Sequence, residues 1–142
     1  MPVLFDSSVY ISAMRLKGNP DFMPLRWLDE SPVWLSSIVL EELYAGADRT
    51  SLRLIEKLER DFERVQRILT PSAGDWAKAG RLLNRLAQKH GFERIGRARM
   101  ANDALIATSA ARTGTILITA NKRDFARLAE FCALQWQTST LP

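Results

Sequence analysis

Four places along the chain set a carboxylate beside an apolar run. Asp6 follows Val3-Leu-Phe5. Glu41 and Glu42 stand in Glu41-Glu42-Leu-Tyr-Ala-Gly46. Asp103 precedes Leu105 and Ile106, and Asp124 closes a polar set with Thr119 and Asn121 after the run from Thr115 to Ile118. Acids gathered in one cleft repel each other and raise each other's pKa, a cost that a bound cation removes. Hard cations such as Mg²⁺ or Mn²⁺ take oxygen ligands, and Mg²⁺ keeps several waters while sharing one or two carboxylates. A cation held this way polarises a phosphodiester, lowers the pKa of water and stabilises charge on a leaving oxygen. No nucleophilic side chain is then needed. The chain offers none: it has one His (His90), one Cys (Cys132) and no serine elbow.

The elements that must position these acids can be read from periodicity. Residues from Met100 to Phe125 read as helix, tight turn, strand and a polar loop opening a second helix. Asp103 is expected at the start of the first helix, with Gly114 as its left-handed C′ residue. Thr115 to Ile118 is short and β-branched, which suits a strand buried on both faces. Upstream, Pro2 to Phe5 reads as a strand, and Ser7 and Ser8 are candidate N-caps of a helix to about Leu16. Lys17 to Pro20 is expected to be a loop and Met23 to Asp29 a helix carrying Trp27 and Leu28. Val33 to Leu35 reads as a second strand, followed by a helix capped at Ser36-Ser37 and ended by Gly46.

Residues 49 to 64 form an amphipathic pattern with Leu52, Ile55, Leu58 and Phe62 inward. Val65 to Leu69 reads as a third strand. Asp75 to His90 reads as a helix with Trp76, Ala79, Leu82, Leu83 and Leu86 inward. Gly91 to Met100 is expected to be an irregular basic loop, Phe125 to Phe131 helical, and Ala133 to Trp136 an edge strand. The alternation predicts one domain over residues 1–142: a three-layer α/β fold with a central, mostly parallel sheet of about five strands. In such a sheet the carboxyl ends of the strands are where sites are built.

Composition agrees with a folded domain. The chain has 142 residues, 46% of them hydrophobic and 25% charged, ordinary values for a globular protein. A single Cys excludes an internal disulfide, and no apolar run approaches the roughly 20 residues that span a bilayer. With no basic-then-apolar leader at the start, a cytoplasmic protein off the membrane is expected. The formal charge is +4. If the four acids cluster, the rest of the surface is more basic still, as a polyanion substrate requires.

Val3-Leu-Phe-Asp-Ser-Ser-Val-Tyr-Ile11, Leu40-Glu-Glu-Leu-Tyr-Ala-Gly46, Asn102-Asp-Ala-Leu-Ile-Ala107 and Ile118-Thr-Ala-Asn-Lys-Arg-Asp-Phe125 occur in the order of the PIN-domain family. Across nearly its whole length the chain resembles that family, and within it the VapC-type ribonuclease toxins of toxin–antitoxin pairs. The resemblance implies a Mg²⁺- or Mn²⁺-dependent endoribonuclease with Asp6, Glu42, Asp103 and Asp124 as catalytic metal ligands. It selects Glu42 over Glu41, because the family's acid directly precedes Leu-x-x-Gly. Ser7, Thr119 and Asn121 would complete the surround. Relatives often carry an acid where this chain has Asn121, so either Asn121 or Asp124 fills the fourth position.

The resemblance also implies an RNA substrate, a homodimer and an inhibitory antitoxin. Such a partner would dock on the helix around Trp27 and Leu28 and offer Arg or Lys to the acids.

Plainer readings stand beside these. Asp6 also reads as a helix cap and Asp103 as an answer to a helix dipole, and Arg94, Arg97 and Arg99 either hold RNA phosphates or form a solvated loop. Two other functions remain open. One is a catalytically weak PIN module that binds RNA or a partner. The other is a receiver-type phosphate-handling regulator, which needs an acidic pair after the first strand that Asp6-Ser7 does not supply.

Overall fold

Five short strands, none longer than four residues, carry the architecture: β1 (Val3–Phe5), β2 (Val33–Ser36), β3 (Ile68–Leu69), β4 (Ile116–Thr119) and β5 (Trp136–Thr138). The computed structural model describes residues 1–15, 32–95 and 97–139, with backbone alone for 94 and 97–99. The expected loop at 17–20 and the helix carrying Trp27 and Leu28 lie outside the described residues.

The strands pair in the order β3-β2-β1-β4-β5, every pair parallel. Val3 sits opposite Val33 on one side and Ile116 on the other, so β1 is the central strand. Burial on both faces explains its composition: Val3, Leu4 and Phe5 are all buried. Parallel neighbours need crossovers, and these are α1 (Ser7–Arg15), α2 (Ser37–Ala45), α3 (Arg49–Arg64), α4 (Ala73–His90), α5 (Phe92–Ile95), α6 (Arg97–Thr113) and α7 (Lys122–Leu128). Helices flank the sheet, giving the three-layer α/β/α arrangement. A receiver-type sheet runs 2-1-3-4-5; the observed order removes that rival.

Several elements depart from the sequence reading, each for a local reason. The third strand is only Ile68–Leu69, because α3 closes with Val65 exposed and Gln66 at φ 57 before the chain turns into β3. Leu52 faces outward on α3, leaving Ile55, Leu58 and Phe62 as its buried stripe. Trp76 is 59% exposed rather than inward. The inner face of α4 is instead Asp75, Ala79, Leu82 and Leu86, one position earlier in the helical repeat. The last strand begins at Trp136, later than expected, and the helix before it ends at Leu128.

Where a basic loop is expected, residues 92–95 and 97–100 are helical. Arg94 lies in α5, and Arg97 and Arg99 open α6. Asp103 is therefore nearly two turns inside α6 rather than at its start. Gly114, at φ 66, ends that helix as a glycine must.

Asp75 does unexpected work at the α4–α6 contact. It is the N3 residue of a capping box with Ser72: its carboxylate accepts the Ser72 N–H at 2.9 Å, and its own N–H donates to the Ser72 hydroxyl at 3.2 Å. The same carboxylate receives Arg112 Nε at 2.9 and 3.0 Å. Burial pushes the Asp75 carboxyl up, but the Ser72 N–H and the Arg112 guanidinium outweigh it and hold it below the usual range. This clamp joins the start of α4 to the end of α6. Among the described residues no helix is long and apolar enough to cross a membrane.

Candidate functional site

Asp6 leaves the carboxyl end of β1, its N–H donating to Ile118 of β4 at 3.1 Å. This is the point where the strand order reverses, β1 leading outward to β2 on one side and meeting β4 on the other. Ligands of open α/β sheets bind at such a switch point. The residue also caps α1: its Oδ1 accepts the Ser8 N–H at 3.1 Å. Ser7 and Ser8 are thus first-turn residues and not the caps. The capping and site readings of Asp6 describe one geometry.

A chain of hydrogen bonds fixes that carboxylate. Thr119, at the end of β4, donates its hydroxyl to Asp6 Oδ2 at 2.5 Å and accepts the Asn121 N–H at 2.9 Å. The Ser8 hydroxyl donates to Asp6 Oδ1 and accepts the Ala120 N–H at 3.1 Å. The Asn121 amide, instead of capping α7, donates to Asp124 Oδ2 at 3.1 Å. Asp6, Thr119 and Asp124 are all buried. Burial raises the Asp6 pKa, and the Ser8 and Thr119 hydrogen bonds pull it partway back.

Glu42 approaches from α2. It is half-buried while Glu41 is exposed, which fits an amphipathic helix docked on the sheet edge. Burial, then the Asp6 carboxylate, then Glu41 raise its pKa, against hydrogen bonds from the Ser7 and Asn102 side chains. Its Oε1 is buried and has no hydrogen-bond partner among the described residues. Asn102 of α6 also donates to Glu41 at 3.4 Å. The helix that carries half-buried Asp103 therefore lies against α2.

The structure brings Asp6 and Glu42 into electrostatic contact and wires Asp124 to Asp6 through Asn121 and Thr119. It does not gather the four acids into one shell: among the described residues no group of three or more Asp, Glu, His or Cys side chains is set to hold an ion. Two coupled carboxylates, one with an orphaned buried oxygen, still fit a hard divalent cation, since Mg²⁺ needs only one or two with water completing its shell. The side chains of Arg94, Arg97 and Arg99 lie outside the described residues.

Sequence reasoning missed two participants. Ser8, taken as a cap, ties the β1–α1 turn to the β4–α7 turn; a hydroxyl two residues after Asp was the available signal. Asn102 stands directly before Asp103 and reaches α2, which only the packing of the two helices reveals.

The chain's likeness to solved structures runs along nearly its full length. It is similar to VapBC2 from Rickettsia felis bound to a DNA fragment from their promoter, with 26% identity, a TM-score of 0.70, and 98% of this chain and 99% of that one covered. DNA-bound VapBC from Salmonella typhimurium matches at 23% identity and TM-score 0.70, over 97% and 98% of the two chains. VapBC-5 from Mycobacterium tuberculosis, a member of the VapBC family of toxin-antitoxin systems, matches at 22% and 0.52, also over 97% and 98%. No curated protein sequence matches significantly. The PIN domain family model aligns with residues 3–131, spanning all the site residues and every strand except the edge strand β5, and the chain belongs to the PIN domain family.

Proposed function

We propose that this chain is a metal-dependent endoribonuclease and the toxin of a VapC-type toxin–antitoxin pair. The observation that carries the nuclease reading is the Asp6–Glu42 pair at the switch point, with Glu42 Oε1 buried and unsatisfied among the described residues. Asp6 and Glu42 would hold Mg²⁺ or Mn²⁺, with Asp103 and Asp124 as the further acids of the proposed site. When bound, the cation supplies Lewis-acid charge to a phosphodiester and an activated water. Thr119 and Ser8 fix the Asp6 carboxylate so that it need not reorganise. Asn121 holds Asp124 in place, and Ser7 and Asn102 steady Glu42. Arg94, Arg97 and Arg99 are proposed to receive RNA phosphates where the chain enters α6.

Melting with and without Mn²⁺ tests the centre. The wild type should gain several degrees with millimolar Mn²⁺, because a ligand that binds only the folded state stabilises it. Glu42→Gln should melt as high as or higher than wild type without metal, having lost a repelling charge, and gain little from Mn²⁺. No Mn²⁺ shift in the wild type overturns the assignment.

The toxin reading draws on the VapBC structures the chain resembles. We infer a cytoplasmic protein, a homodimer and an antitoxin that covers the acids. Trp76 and Phe92, 59% and 68% exposed, flank Gly80, Leu83 and Ala87 and supply an apolar surface for the dimer. Expressed with the product of its neighbouring gene, the chain should purify as a complex with nuclease activity at least about tenfold below that of the chain alone. A neighbour that binds and leaves activity unchanged at every Mn²⁺ concentration overturns the silencing.

One observation favours a second reading, a PIN module that binds RNA without cutting it: Asn121 places an amide where an acid would add charge, and that amide is spent on Asp124. The Mn²⁺ melts followed by an RNA cleavage assay separate the two readings.

A further inference from the structure

Away from the acids, α4 presents three distinct faces. Asp75, Ala79, Leu82 and Leu86 face the core. Trp76, Gly80, Leu83 and Ala87 form the apolar flank. The opposite flank carries Lys78, Arg81, Arg85 and Lys89, spaced three, four and four residues apart and all exposed. Three of these cations line a cavity of about 350 Å³ that α4 shares with the C-terminal end of α6 and the segment after α7, where Thr108, Arg112 and Phe131 complete the wall.

Among the described residues the charge there is not balanced. Lys89 and His90 take Glu130, and Arg112 takes Asp75 through Nε. Lys78, Arg81 and Arg85 join no ion pair among the described residues. The Arg85 guanidinium instead lies 4.4 Å from the centre of the Phe131 ring, with Lys89 at 5.6 Å. A planar guanidinium backed by an aromatic ring leaves its outer face for a base, and the lysine and arginine beside it suit phosphates.

The groove is a separate place from the acidic cleft. α6 delivers the chain from Arg112 to the amino end of β4, whereas Asp6 and Thr119 lie at the carboxyl edge. Asp103 and Arg112 are about 13 Å apart along the axis of α6. We propose that this groove binds the phosphate backbone of single-stranded RNA, gripping the substrate at least about four stacked nucleotides from the point of cleavage. Its substrate class rests on the nuclease reading above; its charge and shape do not.

The test measures binding of a fluorescein-labelled twelve-nucleotide oligouridylate in EDTA, across a salt series, for the wild type and the Lys78→Gln/Arg81→Gln double variant. Both side chains are exposed, so the fold should survive, and a melt confirms it. The variant should bind about tenfold more weakly at 0.1 M salt, with a salt slope shallower by about 1.4 for two lost phosphate contacts on a single strand. The charge-keeping Lys78→Arg/Arg81→Lys variant should bind like wild type. A three-nucleotide oligomer, too short to reach both places, should still bind the wild type in the groove and lose affinity in the double variant.

An unchanged slope in the double variant overturns the proposal. So does displacement of the RNA by polyglutamate of equal charge, which would make the groove a site for an acidic polypeptide. A wild type that binds through the groove but cleaves no RNA with Mn²⁺ leaves this proposal standing and removes the nuclease reading. A wild type that cleaves while the double variant binds normally removes this proposal alone.

Discussion

Asp6→Asn should abolish RNA cleavage while leaving a folded chain. The asparagine oxygen can still accept the Ser8 N–H that caps α1, and a carboxylate whose pKa is raised by burial gives up little stability when its charge is removed. What is lost is the negative charge a divalent cation requires. The loss should exceed the 10–100-fold that removal of an orienting partner typically produces. Thr119→Val, which deletes the 2.5 Å hydrogen bond to Asp6 and keeps the charge, should fall within about 10–100-fold. Single-turnover cleavage of a defined RNA with Mn²⁺ measures both. An Asp6→Asn chain that cuts at the wild-type rate places the chemistry elsewhere.

The largest stability effect should come from a residue outside the acidic cleft. Arg112→Ala strands the Asp75 carboxylate, which has no measurable exposure, with Ser72 left to hold its charge among the described residues. Breaking one side of a buried pair typically costs 3–5 kcal/mol. Arg112 itself is 40% exposed, which discounts the pair, and about 3 kcal/mol is expected. That corresponds to a fall in Tm of about 6–12 °C for a chain of this size. Asp75→Ala should cost less, because the freed guanidinium can turn to water; its loss is mainly the capping box, about 1 kcal/mol.

The pH dependence has a definite sign. The Asp75 carboxyl is held below its ordinary value in the folded chain. Its stabilisation is therefore present above the unfolded pKa of about 3.9 and lost as pH falls through the folded value. The gap in Tm between wild type and Arg112→Ala should be full at pH 7 and narrow below about pH 4. A gap that stays constant to pH 3 would mean that packing, not the ion pair, sets it.

The fold was legible in the sequence where one signal dominated. The strands expected at Pro2 to Phe5 and Thr115 to Ile118 are found within one residue, at Val3–Phe5 and Ile116–Thr119. The helix expected to be capped at Ser36-Ser37 and ended by Gly46 is capped by Ser36. β-branched runs and turn chemistry dictate these, and tertiary contacts only reinforce them. The stretch from Gly91 to Met100 reads as a loop because of its two glycines and three arginines, whereas packing against α4 makes residues 92–95 and 97–100 helical. Trp76 was misread because hydrophobicity alone cannot tell a core face from the flank beside it. At the site, Asp6 stood out because it ends an apolar strand. Glu42 was separated from Glu41 only by a motif, and its burial beside Asp6 supplies the physical distinction. The roles of Ser8 and Asn102 depend on contacts between elements far apart in the chain, which no local pattern encodes.

The hydrogen bond from Thr119 to Asp6 joins residues 113 positions apart, and the central strand β1 has β4 as one of its two neighbours. Contacts of such long range form late, since loop closure must precede their reward. During synthesis, at about 5–20 residues per second, the first strand must wait for most of the chain to emerge before its carboxylate is fixed. In a nascent chain this contact is thus unformed for several seconds. The nuclease activity proposed above would therefore be withheld from the message and the ribosome until synthesis has passed Thr119.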